Sequence, residues 1–159
     1  MTRFRTVSLF LLVVLVHSAF KARLEAPPAS LLLVPVMQLQ ESPAYEEAIR
    51  QKDNDLKLER AKVDYLIERI RKSPFTFIRN GDSYSGTAAA EHIGWKFRLR
   101  GEKIKSANDF IKYFATRSSE SGKLYLCKLA DGKTYPVCDL LYNELRTLEE
   151  SLQRNNKIS

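Results

Sequence analysis

The chain has 159 residues, a formal net charge of +7 and an apolar fraction of 44%, which describe about one globular domain. From Glu46 onwards there are 22 Lys and Arg against 17 Asp and Glu, so most of the chain shares the basic excess. A body of this size buries enough surface to fold unaided, which excludes a scaffold built only on a metal or on several disulfides. The charge is compatible with an anionic partner and equally with an ordinary solvated surface.

The N terminus has the pattern of an export signal. Arg3 and Arg5 precede a predominantly apolar run over residues 7–16, about half the length that spans a bilayer. We therefore expect a signal peptide at 1–22 and a periplasmic or secreted protein, with an uncleaved anchor as the alternative. No cysteine lies just after the apolar run, so lipid attachment at the leader is not expected.

The segment after the leader contains prolines and an apolar patch at 31–37 that is too short to span a membrane. We interpret 23–45 as a linker that contacts either the membrane or the following domain. The single domain is predicted over 46–153, with a polar tail at 154–159.

Residues 46–72 contain no Gly or Pro and predict one long amphipathic helix, which Pro74 ends. Its apolar side chains recur every seven residues. Such a repeat also permits a structural module in which this helix pairs with another chain. The repeating residues are Ile49, Leu56, Val63 and Ile70.

The middle of the chain predicts a strand, a tight turn and two shorter helices. Residues 75–78 are aromatic and β-branched, and Asn80-Gly81 supplies the positive φ angles of a hairpin turn. A helix is expected from its N-cap at Thr87 to about Arg98. Ser106 opens a capping-box sequence and predicts a further short helix.

The C-terminal third predicts a second hairpin and a closing helix. Residues 124–129 predict a strand, Asp131-Gly132 predicts a turn, and Asp139 is expected to cap a leucine-rich helix. The fold class is therefore α+β. It has a long N-terminal amphipathic helix, two shorter helices, a small antiparallel sheet and a C-terminal helix.

Four short motifs occur in a fixed order in the predicted domain. They are FIRNGDSY at 77–84, AAEHI at 89–93, DFI at 109–111 and SSESGKLY at 118–125. Together they resemble the YfeK-like family of small exported bacterial proteins of unknown function. The resemblance implies a periplasmic or secreted protein with one α+β domain, and it implies no activity, cofactor or catalytic residue.

Cys127 and Cys138 are the two cysteines of the chain. Two cysteines in an exported protein predict one disulfide, because the periplasm is kept oxidising. The bridge would join the second hairpin to the last helix and stabilise the fold by about 3 kcal/mol. A redox-active pair is disfavoured because the two-residue spacing typical of such pairs is absent.

Two polar turns, at 79–84 and 117–123, form the main candidate site. Their clustered donors suit a carboxylate, a phosphate or a sugar. The leading hypothesis is a non-enzymatic envelope protein that binds a protein partner or a small anionic ligand there. Ordinary turns require the same residue types, which is the structural alternative. The candidate ligand-binding residues are Arg79, Asn80, Ser83, Tyr84, His92, Arg117, Ser118, Ser119, Ser121 and Lys123.

His92, the one histidine of the predicted domain, gives an enzymatic alternative. With a loop serine it would form the base and nucleophile of a hydrolase, whereas a histidine beside an apolar helix stripe commonly serves packing. No serine lies in a recognised hydrolase motif, so no catalytic residue is assigned. One histidine beside two cysteines predicts no metal site. Gly132-Lys133-Thr134 lacks the earlier Gly of a phosphate-binding loop, and no cofactor is expected.

Residues 96–105 carry five basic side chains against Glu102, with Trp95 and Phe97 interleaved. This composition would suit anionic lipid or nucleic acid. Both aromatic residues fall at positions that would continue the apolar, core-facing stripe of the preceding helix. The basic side chains would then be solvated, which favours a connector between helices over a binding surface. We therefore expect no nucleic-acid partner, and membrane contact only through the leader.

Overall fold

A computed structural model describes residues 24–38, 41–51 and 54–158 of the chain. The signal peptide expected at 1–22 lies outside this part. Within the described residues, five α-helices pack with one four-stranded antiparallel sheet, which confirms the α+β class. No helix among these residues is both long and apolar enough to cross a membrane.

The helices surround α2, which contacts α1, α3, α4 and α5. A π-helical turn, Ile111–Ala115, continues α4. The helices are α1 (Pro43–Arg50), α2 (Asp55–Lys72), α3 (Gly86–Arg100), α4 (Ala107–Phe110) and α5 (Val137–Ile158).

The single helix expected over 46–72 is not confirmed, because two helices cover this part. Gln51 follows the end of α1, and Asn54 has an extended backbone. The Asn54 side chain accepts a hydrogen bond from the backbone N–H of Lys57 at 3.1 Å. An asparagine in this conformation starts a new helix because its side chain satisfies an orphan donor of the first turn.

The seven-residue apolar repeat is divided between core and surface. Val63 and Ile70 are buried in the core of this chain, whereas the Leu56 side chain is 76% exposed. The buried part of the repeat therefore packs within this chain and is not available to a helix of another chain.

The sheet has the strand order β2-β1-β3-β4 with every neighbouring pair antiparallel. The predicted hairpin turn between β1 and β2 is confirmed, with φ of 57° at Asn80 and 104° at Gly81. These positive angles match the right-handed twist of the adjoining strands. The strands are β1 (Thr76–Arg79), β2 (Asp82–Tyr84), β3 (Leu126–Lys128) and β4 (Thr134–Pro136).

Two of the three predicted helix caps are displaced. Ser85, and not Thr87, caps α3 by accepting the Ala88 N–H at 3.3 Å. The Ser106 cap of α4 is confirmed. Asp139 does not cap α5 because that helix begins at Val137, and its carboxylate lies in the first turn, where the helix dipole favours negative charge.

The segment before α1 packs on the domain. Leu33 and Val34 are buried, and the Leu33 N–H donates to the Glu144 carboxylate at 2.7 Å. The segment 23–45 was expected to contact either the membrane or the domain. Its described residues contact the domain.

The far end of α3 is held by an aromatic cluster. The ring of Phe97 meets those of Phe110 and Phe114 edge-on, with centroids 5.3 and 5.6 Å away. Trp95 was expected in the same core, but this prediction is wrong because its side chain is 54% exposed. At its other end, α3 lies against β1 and β2.

Candidate functional site

A cavity of about 310 Å³ lies between α3 and the sheet. Its volume is at the small end of the range for ligand pockets, and such pockets combine apolar walls with a few polar groups. The walls are mostly aliphatic and aromatic. They are formed by Phe77, Ile78, Arg79, Tyr84, Ala88, Ala89, Glu91, His92, Ile93, Tyr125, Leu126 and Val137.

Arg79 and His92 meet at this cavity. Arg79 ends β1, and His92 lies on the second turn of α3. The Arg79 Nη1 atom lies 2.9 Å from both ring nitrogens of His92. A guanidinium can only donate, so the imidazole accepts through an unprotonated nitrogen. The contact therefore requires His92 to be neutral.

The surroundings of His92 favour the same neutral form. Burial lowers the pKa of His92, and the positive charges of Arg79 and Lys96 lower it further. An imidazole that is not yet charged can take up a proton when an anion arrives, because the anion reverses the local electrostatic balance.

The charge of Arg79 has no carboxylate partner within 4.0 Å among the described residues. Its guanidinium lies 5.6 Å from the centroid of the Tyr84 ring, and its buried Nε atom has no hydrogen-bond partner in that part of the chain. A buried donor without a partner is costly, so the contacts within this part of the chain do not fully satisfy Arg79.

Lys96 places a second cation behind the cavity wall. Its Nζ atom lies 3.2 Å from the hydroxyl of Tyr125 and 5.3 Å from the centroid of that ring. Lys96 is buried, and no carboxylate of the described residues pairs with it. Two cations without a carboxylate partner in the described part of the chain, Arg79 and Lys96, therefore lie at or next to the cavity.

Among the described residues that line the cavity, Glu91 is the one with a carboxylate side chain. Its side chain is 67% exposed and lies 3.8 Å from Arg71, a residue that does not line the cavity. Water screens a charge so exposed, and Glu91 therefore offsets Arg79 only weakly.

The two predicted loops touch each other away from this cavity. The hydroxyl of Ser121 donates to the Asn80 side chain at 2.5 Å, and the Asn80 amide donates to Glu120 at 3.3 Å. Their donors are thus used in holding the loops together. Arg79, Tyr84 and the nearby His92 line the cavity, and no residue of 117–123 does.

The second loop is a turn that satisfies its own polar groups. Arg117 donates to the carbonyl of Gly122 at 3.1 Å, and Ser118 is buried with its hydroxyl accepting the Glu120 N–H. Ser121 accepts the backbone N–H of Lys123. These contacts are the turn chemistry that the sequence analysis held as the structural alternative. Neither the exposed Ser119 nor Ser83 on β2 lines the cavity.

The hydrolase alternative finds no support in this geometry. A serine nucleophile needs a hydrogen bond to its base, and no described serine makes one to His92. The described residues also contain no group of three or more His, Cys, Asp or Glu side chains placed to hold a metal ion.

Cys127 and Cys138 are both free and buried, so the expected disulfide is not shown. Both cysteines belong to the hydrophobic core, Cys127 on β3 and Cys138 in the first turn of α5. The Cys138 thiol donates to the Asp139 carboxylate at 3.5 Å.

Lys96 and Tyr125 are site residues that the sequence analysis did not identify. Lys96 was grouped with the charged connector after it. Its position four residues after His92 puts the two side chains on one face of a helix, and that spacing would have separated Lys96 from the other cations. The contact with Tyr125 spans 29 residues and carries no local signal.

The cavity and the fold define a small α+β domain with a largely apolar pocket that Arg79 and His92 line. A family model described as "Family of unknown function (DUF5329)" matches residues 57–149, and the chain belongs to this family. The matched region runs from α2 into α5 and contains every residue that lines the cavity.

The chain is also similar to "Uncharacterized protein YfeK" from Salmonella typhimurium. The two are 32% identical over 68 residues, which cover 42% of this chain. The matched part spans 57% of the length of that relative. These findings confirm the resemblance to a YfeK-like family of unknown function. No solved structure matches the chain.

Proposed function

We propose that this protein is an exported protein of the bacterial envelope that binds a small amphipathic anion in the cavity between α3 and the sheet. The observation that carries the proposal is the partly buried guanidinium of Arg79. It lines an apolar cavity, has one unsatisfied N–H, and has no carboxylate partner in the described part of the chain. Export is supported by Arg3, Arg5 and the apolar run at 7–16.

The ligand class follows from the walls of the cavity. Apolar side chains favour a hydrocarbon body, and the Arg79–His92 pair favours one carboxylate or phosphate at its end. A cavity of about 310 Å³ accommodates a medium-chain carboxylate such as octanoate. Loop 117–123 does not belong to this site, because its polar groups form hydrogen bonds within the protein.

Calorimetric titration with octanoate tests the proposal, with octanol as the uncharged ligand of similar shape. Octanoate is expected to bind more tightly because a hydrogen bond to a charged group is stronger than one between neutral groups. Equal affinity for the acid and the alcohol would contradict an anion site.

Arg79→Gln is the decisive variant, and Arg117→Gln is its matched control on the second loop. Loss of a charged hydrogen bond at Arg79 should lower the affinity for octanoate by about tenfold or more. Arg117→Gln should leave the affinity unchanged. Circular dichroism establishes that both variants fold, and an unaltered octanoate affinity in folded Arg79→Gln would sink the proposal.

The pH dependence of binding gives a second readout. A bound anion favours the protonated imidazole, so binding should raise the pKa of His92 and draw in a proton. Octanoate affinity is therefore expected to increase as the pH falls from neutrality towards 6, while octanol affinity stays constant. His92→Gln should abolish this increase.

A further inference from the structure

Trp95 and Leu99 form an apolar ridge on the outer face of α3. Their side chains are 54% and 59% exposed, and the spacing of four residues places them one helical turn apart. The interior of the protein makes no use of this ridge, because the neighbouring Phe97 supplies the core contacts of the same helix.

Cations that form no ion pair in the described part of the chain lie close to Trp95 and Leu99 in the sequence. Each is exposed, and none forms an ion pair with a carboxylate of the described residues. Glu102 is the one acidic residue within 95–105. The four cations are Arg98, Arg100, Lys103 and Lys105.

We propose that this surface, Trp95 and Leu99 with the four cations, docks the domain onto an anionic phospholipid bilayer. Tryptophan is favoured at the headgroup level because its ring is apolar and its N–H is polar. Exposed cations beside it gain from the negative surface potential of the lipid.

Nucleic acid is the competing anion, and the composition of the ridge argues against it. Single strands bind through successive aromatic platforms, whereas this ridge pairs its one aromatic residue with the aliphatic Leu99. The docking proposal is independent of the cavity and its ligand, because none of these six residues lines the cavity.

Trp95 is the single tryptophan of the chain, so its fluorescence reports on this surface alone. Vesicles of phosphatidylcholine containing phosphatidylglycerol are expected to shift its emission to the blue, and pure phosphatidylcholine vesicles are not. High salt should reverse the shift, because the attraction is electrostatic and screened. An equal shift with both kinds of vesicle would overturn the proposal.

The paired substitution Lys103→Gln with Lys105→Gln tests the cations, and Lys128→Gln with Lys133→Gln is the charge-matched control elsewhere on the surface. Each lost contact weakens vesicle binding by about fivefold. The first double variant should therefore bind anionic vesicles about 25-fold more weakly than the wild type, and the control should bind them almost as well. Equal losses in both pairs would show that only net charge matters and overturn the proposal.

Leu99→Ser separates apolar insertion from charge while keeping the fluorescent probe. It should reduce the blue shift even at low salt. The leader is the same in all variants and cannot produce these differences. Tighter binding of a DNA oligonucleotide than of the anionic vesicles, at the same salt, would overturn the choice of partner.

Discussion

Arg69 and Glu144 form an ion pair in the centre of the fold, with Nε of the arginine 2.8 Å from Oε2 of the glutamate. The side chains are 1% and 0% exposed. The pair also holds the segment before α1, because Glu144 accepts the N–H of Leu33 and Arg69 donates to the carbonyl of Val34. Tyr65 donates its hydroxyl to the same carboxylate at 3.2 Å.

Glu144→Gln should strongly destabilise the protein. The substitution leaves the Arg69 cation buried without its counter-charge, which costs about 3–5 kcal/mol in the free energy of unfolding. Urea denaturation measures this difference. Glu150→Gln is the matched control, because its pair with Arg146 is half exposed and contributes at most about 1 kcal/mol. Similar losses in both variants would contradict a structural role for the buried pair.

The segment 24–38 is expected to stabilise the domain through Leu33. Its side chain is fully buried, so Leu33→Ala should lower the free energy of unfolding by about 2–5 kcal/mol. Met37→Ala removes a side chain that is 89% exposed, four residues further on, and should change little. If thermal melting shows no difference between the two variants, the segment does not pack on the domain in solution.

His92 is expected to titrate below the ordinary histidine pKa of 6.5. Burial disfavours the imidazolium ion, and Arg79 adds like-charge repulsion. Arg79→Gln should therefore raise the pKa of His92, as followed by the ring proton resonances in NMR. Arg117→Gln should leave it in place. A wild-type pKa at or above 6.5 would show that the contact with Arg79 does not persist in solution.

The same depressed pKa predicts how stability depends on pH. Below pH 6.5 the unfolded chain protonates His92 while the folded protein resists, so the unfolded state binds more protons. The contribution of His92 is full above pH 6.5 and is lost as the pH falls towards its folded pKa. His92→Gln should flatten this part of the curve of unfolding free energy against pH.

Local sequence signals predicted the features that a few neighbouring residues decide. Asn80-Gly81 gave the hairpin turn, because only such residues adopt positive φ at low cost, and Ser106 gave the cap of α4. The break between α1 and α2 was missed because a regular apolar repeat masked the capping ability of Asn54.

Long-range contacts explain what the sequence did not predict. The hydrogen bond between Leu33 and Glu144 joins residues 111 positions apart. A charged residue in an amphipathic helix is ordinarily solvated, so no pattern marked Arg69 as buried. The cavity likewise depends on how α3 lies against the sheet, which brings Arg79 to His92.

The thiols of Cys127 and Cys138 should resist alkylation in the folded protein at pH 8. Burial raises the pKa of Cys127 to about 12. Burial and the neighbouring Asp139 carboxylate raise that of Cys138 to about 11. Two thiols should then react with a maleimide in denaturant without reductant. If no thiol reacts in denaturant before reduction and two react after it, the cysteines form a disulfide, which would contradict the free thiols.

Gly86 and Gly94 make a matched pair of glycines within α3. A Cβ on Gly86 would lie 2.8 Å from the carbonyl oxygen of Ser73 and still closer to that of Ile70, and neither backbone can easily move. Gly86→Ala should therefore cost about 1–3 kcal/mol in unfolding free energy. At Gly94 the nearest atom would be the Arg98 guanidinium at 3.6 Å, an ordinary contact.

Gly94→Ala is accordingly expected to be neutral or to stabilise the protein by up to about 1 kcal/mol, because alanine is the better helix former. Urea denaturation of both variants measures the difference. Gly86→Ala should also weaken octanoate binding, since forcing α3 away from the end of α2 displaces the wall that carries His92. Equal stabilities would show that α3 does not abut α2 at Gly86, and the described position of the cavity wall would then be wrong.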